Sequence, residues 1–103
     1  MKRVVVTGMA GFSPIGSDWD TMQQNLKAMK TGVVRMDDWD QYDGLNTRLA
    51  APVEQFTMPD HYRRKDLRSM GRVAQFAVYS TERALKDAGL DGAEELGNGN
   101  TGI

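Results

Sequence analysis

Five closely spaced basic side chains have the clearest potential for binding chemistry: Arg63, Arg64, Lys65, Arg68 and Arg72. The sequence favours a short helix over residues 61–70. Such a helix places Arg64, Lys65 and Arg68 on one face, because positions three and four apart are neighbours on a helix. Like charges at that spacing repel by a few tenths of a kcal/mol per pair, and a chain that keeps them often does so for an anionic partner. From the charge pattern alone, however, a solvated surface that Asp60 and Asp66 partly neutralise is the favoured interpretation.

Other groups suited to catalysis are scarce in this chain. It contains no cysteine, which excludes a thiolate nucleophile, a disulfide framework and a thiolate metal site among these residues. A single histidine, His61, also excludes a multi-histidine metal site. No acid lies near His61 and Tyr62 in a pattern typical of a catalytic pair, so we expect a surface histidine. The sequence therefore predicts no catalytic, cofactor-binding or metal-binding residue.

The start of the chain has the order strand, glycine-rich loop and helix, which is also found in nucleotide-binding units. Consecutive valines between Arg3 and Thr7 predict a buried strand. The glycines that follow are Gly8, Gly11 and Gly16. Their spacing differs from G-x-G-x-x-G, Pro14 removes a backbone N–H, and Asp18 and Asp20 would repel a phosphate. The favoured role of the glycines is close packing. A small nucleotide-binding domain remains an alternative hypothesis.

Further elements must position the basic segment. The spacing of apolar residues predicts an amphipathic helix over residues 18–30 with Ser17 as its N-cap. A short strand is predicted within Leu45–Val53. The longest predicted helix covers residues 72–87 and ends at Gly89. Small residues along this helix favour close packing against another element: Ala74, Ala77, Ser80, Ala84 and Ala88.

The composition is that of an ordinary globular chain, with 103 residues, 40% hydrophobic, 26% charged and a net charge of −1. The near balance of charge gives no indication of nucleic-acid or membrane binding. No apolar run is long enough for a signal sequence or a membrane span, which favours a cytoplasmic protein. Charge is nevertheless segregated, since acids dominate residues 37–60 and bases dominate residues 63–72.

Four segments resemble, in order and spacing, the elongating β-ketoacyl-acyl-carrier-protein synthases. Residues 3–16 read RVVVTGMAGFSPIG, residues 25–33 read NLKAMKTGV, residues 64–70 read RKDLRSM and residues 84–90 read ALKDAGL. Departures from the family pattern are Ala10 and Met29 in place of glycines, Ser69 at an often basic position, and Gly71 in place of an aspartate. The resemblance spans the whole chain, which would correspond to roughly the first quarter of a family member.

The resemblance implies an α/β chain that forms the N-terminal part of a thiolase-like five-layer α/β/α/β/α fold. Residues 1–103 would be an incomplete segment of the first thiolase-like half, with one early core strand and mostly helices. The family condenses an acyl thioester with malonyl-acyl-carrier protein by decarboxylative Claisen condensation, uses no cofactor and assembles as a homodimer. Its catalytic cysteine and histidines would lie beyond Ile103, so this segment alone should be inactive.

The residues that the resemblance carries over are those of the basic helix. Lys65 and Arg68, and then Arg64, would contact the acidic acyl carrier protein. A non-catalytic alternative also fits these residues, namely a synthase-like partner subunit or a carrier-protein-binding module. A cysteine at the end of a later strand would distinguish the enzyme from this alternative.

Overall fold

The structure is a computed structural model that describes residues 1–102 of the chain. Its elements are α1 (Trp19–Lys27), β1 (Val34–Arg35), a 3-10 helix (Asp37–Gln41), β2 (Leu49–Ala50), α2 (Arg64–Leu67), α3 (Arg72–Ala88) and a second 3-10 helix (Glu94–Gly97). The residues form two compact units. One unit comprises Met1–Gly11 with the residues from Thr57 onward, and the other comprises Phe12–Phe56. Most of the regular structure is helical, as the sequence predicts.

Helix α1 begins one residue later than predicted, because Asp18 rather than Ser17 is its N-cap. The Asp18 Oδ1 atom accepts a hydrogen bond from the Thr21 backbone N–H at 2.8 Å, and Oδ2 accepts one from the Thr21 hydroxyl at 2.9 Å. A carboxylate at this position satisfies an orphan helical N–H and also interacts favourably with the helix dipole. The predicted range 18–30 is therefore too long at both ends.

The C-terminal ends of α1 and α3 have the same hydrogen-bond pattern but different residues in it. After α1, the Met29 N–H donates to Leu26 O and the Lys30 N–H donates to Asn25 O. After α3, Gly89 and Leu90 make the equivalent bonds. This pattern needs a left-handed residue, which is easy for Gly89 (φ 70°) and costs about 1–2 kcal/mol for Met29 (φ 54°). Met29 is one of the positions where the resemblance leads us to expect glycine.

The unit Phe12–Phe56 contains a small antiparallel sheet in which Val34 pairs with Ala50 and Arg35 with Leu49. Only two residues of the predicted strand Leu45–Val53 are therefore paired. The side chains of Phe12 and Phe56 meet edge to face with 5.0 Å between their ring centroids. Phe56 is 8% exposed and is the one buried hydrophobic residue among residues 1–102.

The prediction of a core strand at Arg3–Thr7 is wrong, because this segment does not form a strand in the structure. No strand occurs within residues 1–12, and the described residues provide no ladder partner for this segment. Val4, Val5 and Val6 are 94%, 68% and 79% exposed. Strand propensity reflects packing against neighbouring strands, so a β-branched run without a partner strand does not form a strand.

Helix α3 confirms the longest predicted helix, and the start of the chain packs against two of its small residues, Ala84 and Ala88, whereas Ala74 and Ala77 are exposed. The backbone at Gly8 passes so close to α3 that an added Cβ would fall inside contact distance of the Ala84 carbonyl oxygen and 2.8 Å from Ala88 Cβ. One residue later, the Met9 N–H donates to Asp87 Oδ2 at 2.9 Å. Glycine on one side and alanines on the other therefore allow the start of the chain to lie directly on α3.

Candidate functional site

The structure brings the three predicted binding residues together on α2. Arg64 and Lys65 lie on the helix and Arg68 is its C-cap, with the Arg68 N–H donating to Arg64 O at 3.1 Å. All three side chains are exposed, and together they line one shallow concavity. The i, i+3 and i, i+4 spacing that the sequence predicts therefore produces a single cationic surface, which we call the basic surface (Arg64, Lys65 and Arg68).

The acid nearest in sequence does not neutralise the basic surface. The Asp66 carboxylate instead accepts hydrogen bonds from the preceding arginine, at 2.9 Å from Arg63 Nε and 3.4 Å from Arg63 Nη2. Across residues 1–102, no ion pair involves Arg64, Lys65 or Arg68. Three cations are thus exposed without an anionic partner among the described residues, which favours an external anion over a self-neutralised surface.

The acidic stretch of residues 37–60, in contrast, has arginine partners for some of its carboxylates. Arg35 lies 2.9 Å from both Asp37 and Asp40, and Arg48 also pairs with Asp40. These carboxylates raise the pKa of Arg35, with Asp40 as the larger cause. The acids at the first 3-10 helix are therefore partly neutralised by arginines of their own unit, whereas the basic surface is not neutralised within its unit.

A second polar cluster surrounds Glu82 on α3. Its Oε2 atom lies 2.9 Å from His61 Nε2 and accepts a hydrogen bond from the Tyr62 hydroxyl. Its Oε1 atom accepts one from Lys86 Nζ at 2.5 Å. His61 is exposed, which confirms the predicted surface histidine, but it pairs with a carboxylate that the sequence does not indicate. Glu82 is 20 residues from Tyr62 along the chain, and no sequence spacing indicates that the two meet.

Neither Glu82 nor Tyr62 has a pKa suited to proton transfer near neutral pH. The Lys86 ammonium, the Tyr62 hydroxyl and His61 lower the pKa of Glu82 to about 2, while burial and the Glu82 carboxylate raise the pKa of Tyr62 to about 12. A general acid or base works best with a pKa near the working pH, and neither group meets that condition. The folded-state pKa of Glu82 is depressed, so the ionised carboxylate stabilises the folded state. This stabilisation is complete above about pH 4.5 and is lost as the pH falls toward 2.

Other kinds of site find little support in the structure. No group of three or more His, Asp or Glu residues in the described part of the chain is placed to hold a metal ion. None of the helices in residues 1–102 is long and apolar enough to cross a membrane. In the glycine-rich loop, Ser13 and Gly16 bond to each other's backbone, and the Asp18 carboxylate occupies the N-terminus of α1. A phosphate would meet that carboxylate, so the nucleotide-binding hypothesis is not supported.

Comparison with known proteins places this chain in a family. The family described as β-ketoacyl synthase, N-terminal domain, matches residues 1–103. A 3-oxoacyl-[acyl-carrier-protein] synthase 2 of Staphylococcus aureus (strain COL) is 37% identical over 90 residues, which are 87% of this chain and 22% of that protein. The synthase of the same description from Vibrio cholerae is 34% identical over 94 residues, again 22% of its length.

A solved structure gives the same result in three dimensions. The crystal structure of a β-ketoacyl synthase from Burkholderia phymatum STM815 superimposes with a TM-score of 0.87 and 50% sequence identity, covering 96% of this chain and 24% of that one. The chain therefore spans between a fifth and a quarter of the length of these relatives. The order of motifs, the helical arrangement and the match along the full chain agree, and the chain belongs to the β-ketoacyl synthase family as a segment of its N-terminal domain.

Proposed function

We propose that this chain is the N-terminal region of a 3-oxoacyl-acyl-carrier-protein synthase that acts in fatty acid or polyketide-like biosynthesis. The names of the relatives support this activity, and the family match supports the position in the chain. In this proposal the whole protein has the five-layer α/β/α/β/α arrangement and works as a homodimer. The region described here supplies packing helices and a surface that binds the acyl carrier protein.

The proposed reaction forms one carbon–carbon bond and releases carbon dioxide. An enzyme thiolate first attacks the thioester of acyl-carrier protein, takes the acyl group as an enzyme thioester and releases the free thiol of the carrier. Malonyl-carrier protein then loses its carboxylate as CO2, and the resulting carbanion attacks the acyl thioester carbon. The enzyme thiolate leaves, and the product is a β-ketoacyl-carrier protein. This chain has no cysteine, so the thiol must be supplied by residues outside it, and its own contribution is to binding.

The observation that carries the proposal is the unneutralised basic surface. Arg64, Lys65 and Arg68 are exposed, share one concavity and form no ion pair with any described residue. A cationic surface of this kind suits an acidic carrier protein. Complementary charge accelerates such encounters and orients the partner without requiring a large apolar interface.

A condensation assay with the protein made from its native gene tests the proposed function. The protein should convert acyl-carrier and malonyl-carrier proteins to β-ketoacyl-carrier protein with one CO2 released per product. The intact mass, measured in parallel, should be several times the 11.5 kDa of this chain. Carrier binding without CO2 release or product would support the non-catalytic partner subunit instead. Absence of both binding and product would reject both functions.

A further inference from the structure

Helix α2, which carries the basic surface, is too short to be stable without contacts from other parts of the chain. It has four residues, whereas an isolated helix needs about 12–15 residues to be even marginally stable in water. Its N-cap, Arg63, makes no capping hydrogen bond through its side chain, and its exposed cations repel one another. Contacts from outside α2 must therefore fix the direction in which Arg64, Lys65 and Arg68 point.

The first outside contact lies immediately before α2. His61 and Tyr62 precede the helix, and both side chains reach the Glu82 carboxylate on α3. The Tyr62 ring also packs edge to face against Tyr79, with 6.5 Å between centroids. Glu82 is only 15% exposed in its side chain, so water competes weakly for these bonds. The N-terminal end of α2 is thus tied to the middle of α3.

The second contact lies immediately after α2. The Gln75 side-chain Nε2 donates to the Met70 backbone carbonyl at 3.1 Å, two residues after the C-cap Arg68. Gln75 and Glu82 are seven residues apart on α3, which is close to two helical turns. Their side chains therefore project from one face of α3 about 10 Å apart along its axis. One face of α3 therefore holds the basic segment at both ends.

We propose that Glu82, together with Gln75, positions the basic surface for binding of the acidic carrier protein. Neither residue contacts the carrier in this proposal. Both act through the segment that contains α2, by fixing its two ends to α3. The inference rests on the proposed docking function of Arg64, Lys65 and Arg68, and its test must separate the two.

The direction in which one substitution changes the affinity for the carrier distinguishes a positioning role from a purely electrostatic effect. Glu82→Gln removes a negative charge near the basic surface and leaves Lys86 without its ion pair. By charge alone, this variant should bind an acidic carrier more tightly. If Glu82 positions α2, the same variant should bind about three- to tenfold more weakly, because the cations are no longer held in one arrangement. Glu94→Gln, which removes the same charge from an exposed residue of the same unit, should not weaken binding.

The experiment measures the affinity of the full-length protein for holo-acyl carrier protein by calorimetry. The variants are Glu82→Gln, Glu94→Gln, Gln75→Ala and Tyr62→Phe, which removes only the hydroxyl that bonds to Glu82. Hydrogen exchange gives a readout independent of the carrier. The amides of Leu67 and Arg68, which bond to Arg63 O and Arg64 O, should exchange faster in Glu82→Gln but not in Glu94→Gln.

Charge reversal at the basic surface tells the two proposals apart. If Lys65→Glu weakens carrier binding while Glu82→Gln and Tyr62→Phe leave it unchanged or tighter, the positioning role is overturned and docking stands. If Lys65→Glu has no effect on binding, the docking function itself fails. In a Lys65→Glu, Arg68→Glu background, Glu82→Gln should cause no further loss, because there is no longer a cationic surface to position. An additive loss would contradict the inference.

Discussion

Reversing Lys65 and Arg68 to glutamate in the full-length protein is expected to raise the KM for malonyl-carrier protein by about tenfold or more, with kcat nearly unchanged. Both side chains are exposed and form no ion pair with any described residue, so the reversal removes no internal contact. It converts an attractive surface into a repulsive one for an acidic partner. Steady-state kinetics with the carrier substrate as the varied component measures the effect.

The matched control is the double reversal Lys27→Glu, Lys30→Glu, which changes the net charge by the same amount at two other exposed lysines. Its KM should stay within about twofold of the wild-type value. Added salt should reduce the difference between the Lys65/Arg68 variant and wild type, because screening weakens long-range attraction. Equal effects of the two double variants would show that only net charge matters and would contradict a defined docking surface.

Gly8→Ala is expected to destabilise the protein by about 2–3 kcal/mol, which is the usual cost of forcing atoms into a packed contact. The added methyl group would overlap the Ala84 carbonyl oxygen and lie 2.7 Å from the Ala88 backbone nitrogen. Backbone atoms of a helix cannot move aside as a flexible side chain can. The start of the chain must then separate from α3, and the Met9–Asp87 hydrogen bond is lost. Thermal unfolding of the full-length protein measures the change.

Gly11→Ala provides the control for that substitution. An added Cβ at Gly11 meets nothing within 4 Å, and the backbone there does not require the left-handed region. This variant should match the wild type or be slightly more stable, since alanine lowers the entropy of the unfolded chain. Similar losses for the two variants would show that the close approach of Gly8 to α3 does not determine the effect.

Local patterns were sufficient to predict the parts of this fold that local interactions determine. Helix α3 follows from apolar periodicity and from Gly89 at its end, and the grouping of Arg64, Lys65 and Arg68 follows from helical spacing. The small residues Ala84 and Ala88 correctly indicated close packing, although their partner, Gly8, is about 80 positions away in sequence and could not be identified from spacing.

The features that the sequence did not reveal depend on distant or competing partners. The strand predicted at Arg3–Thr7 requires a neighbouring strand, which the described residues do not provide. Asp18 and Ser17 are both good N-caps, and only the geometry at Thr21 decides between them. The Glu82 cluster joins α3 to residues 20 and 21 positions earlier, so no local period indicates it.

The most direct test of the central claim is zero-length cross-linking between the full-length protein and holo-acyl carrier protein, followed by mass spectrometry. The reagent joins a lysine amine to a carboxylate only when the two are in contact. We predict that Lys65 is a principal cross-linked lysine of this chain, and that the cross-link is lost when free carrier protein competes. Cross-links confined to Lys27, Lys30 or other lysines, with Lys65 unmodified, would contradict the assignment of the basic surface as the carrier-binding site.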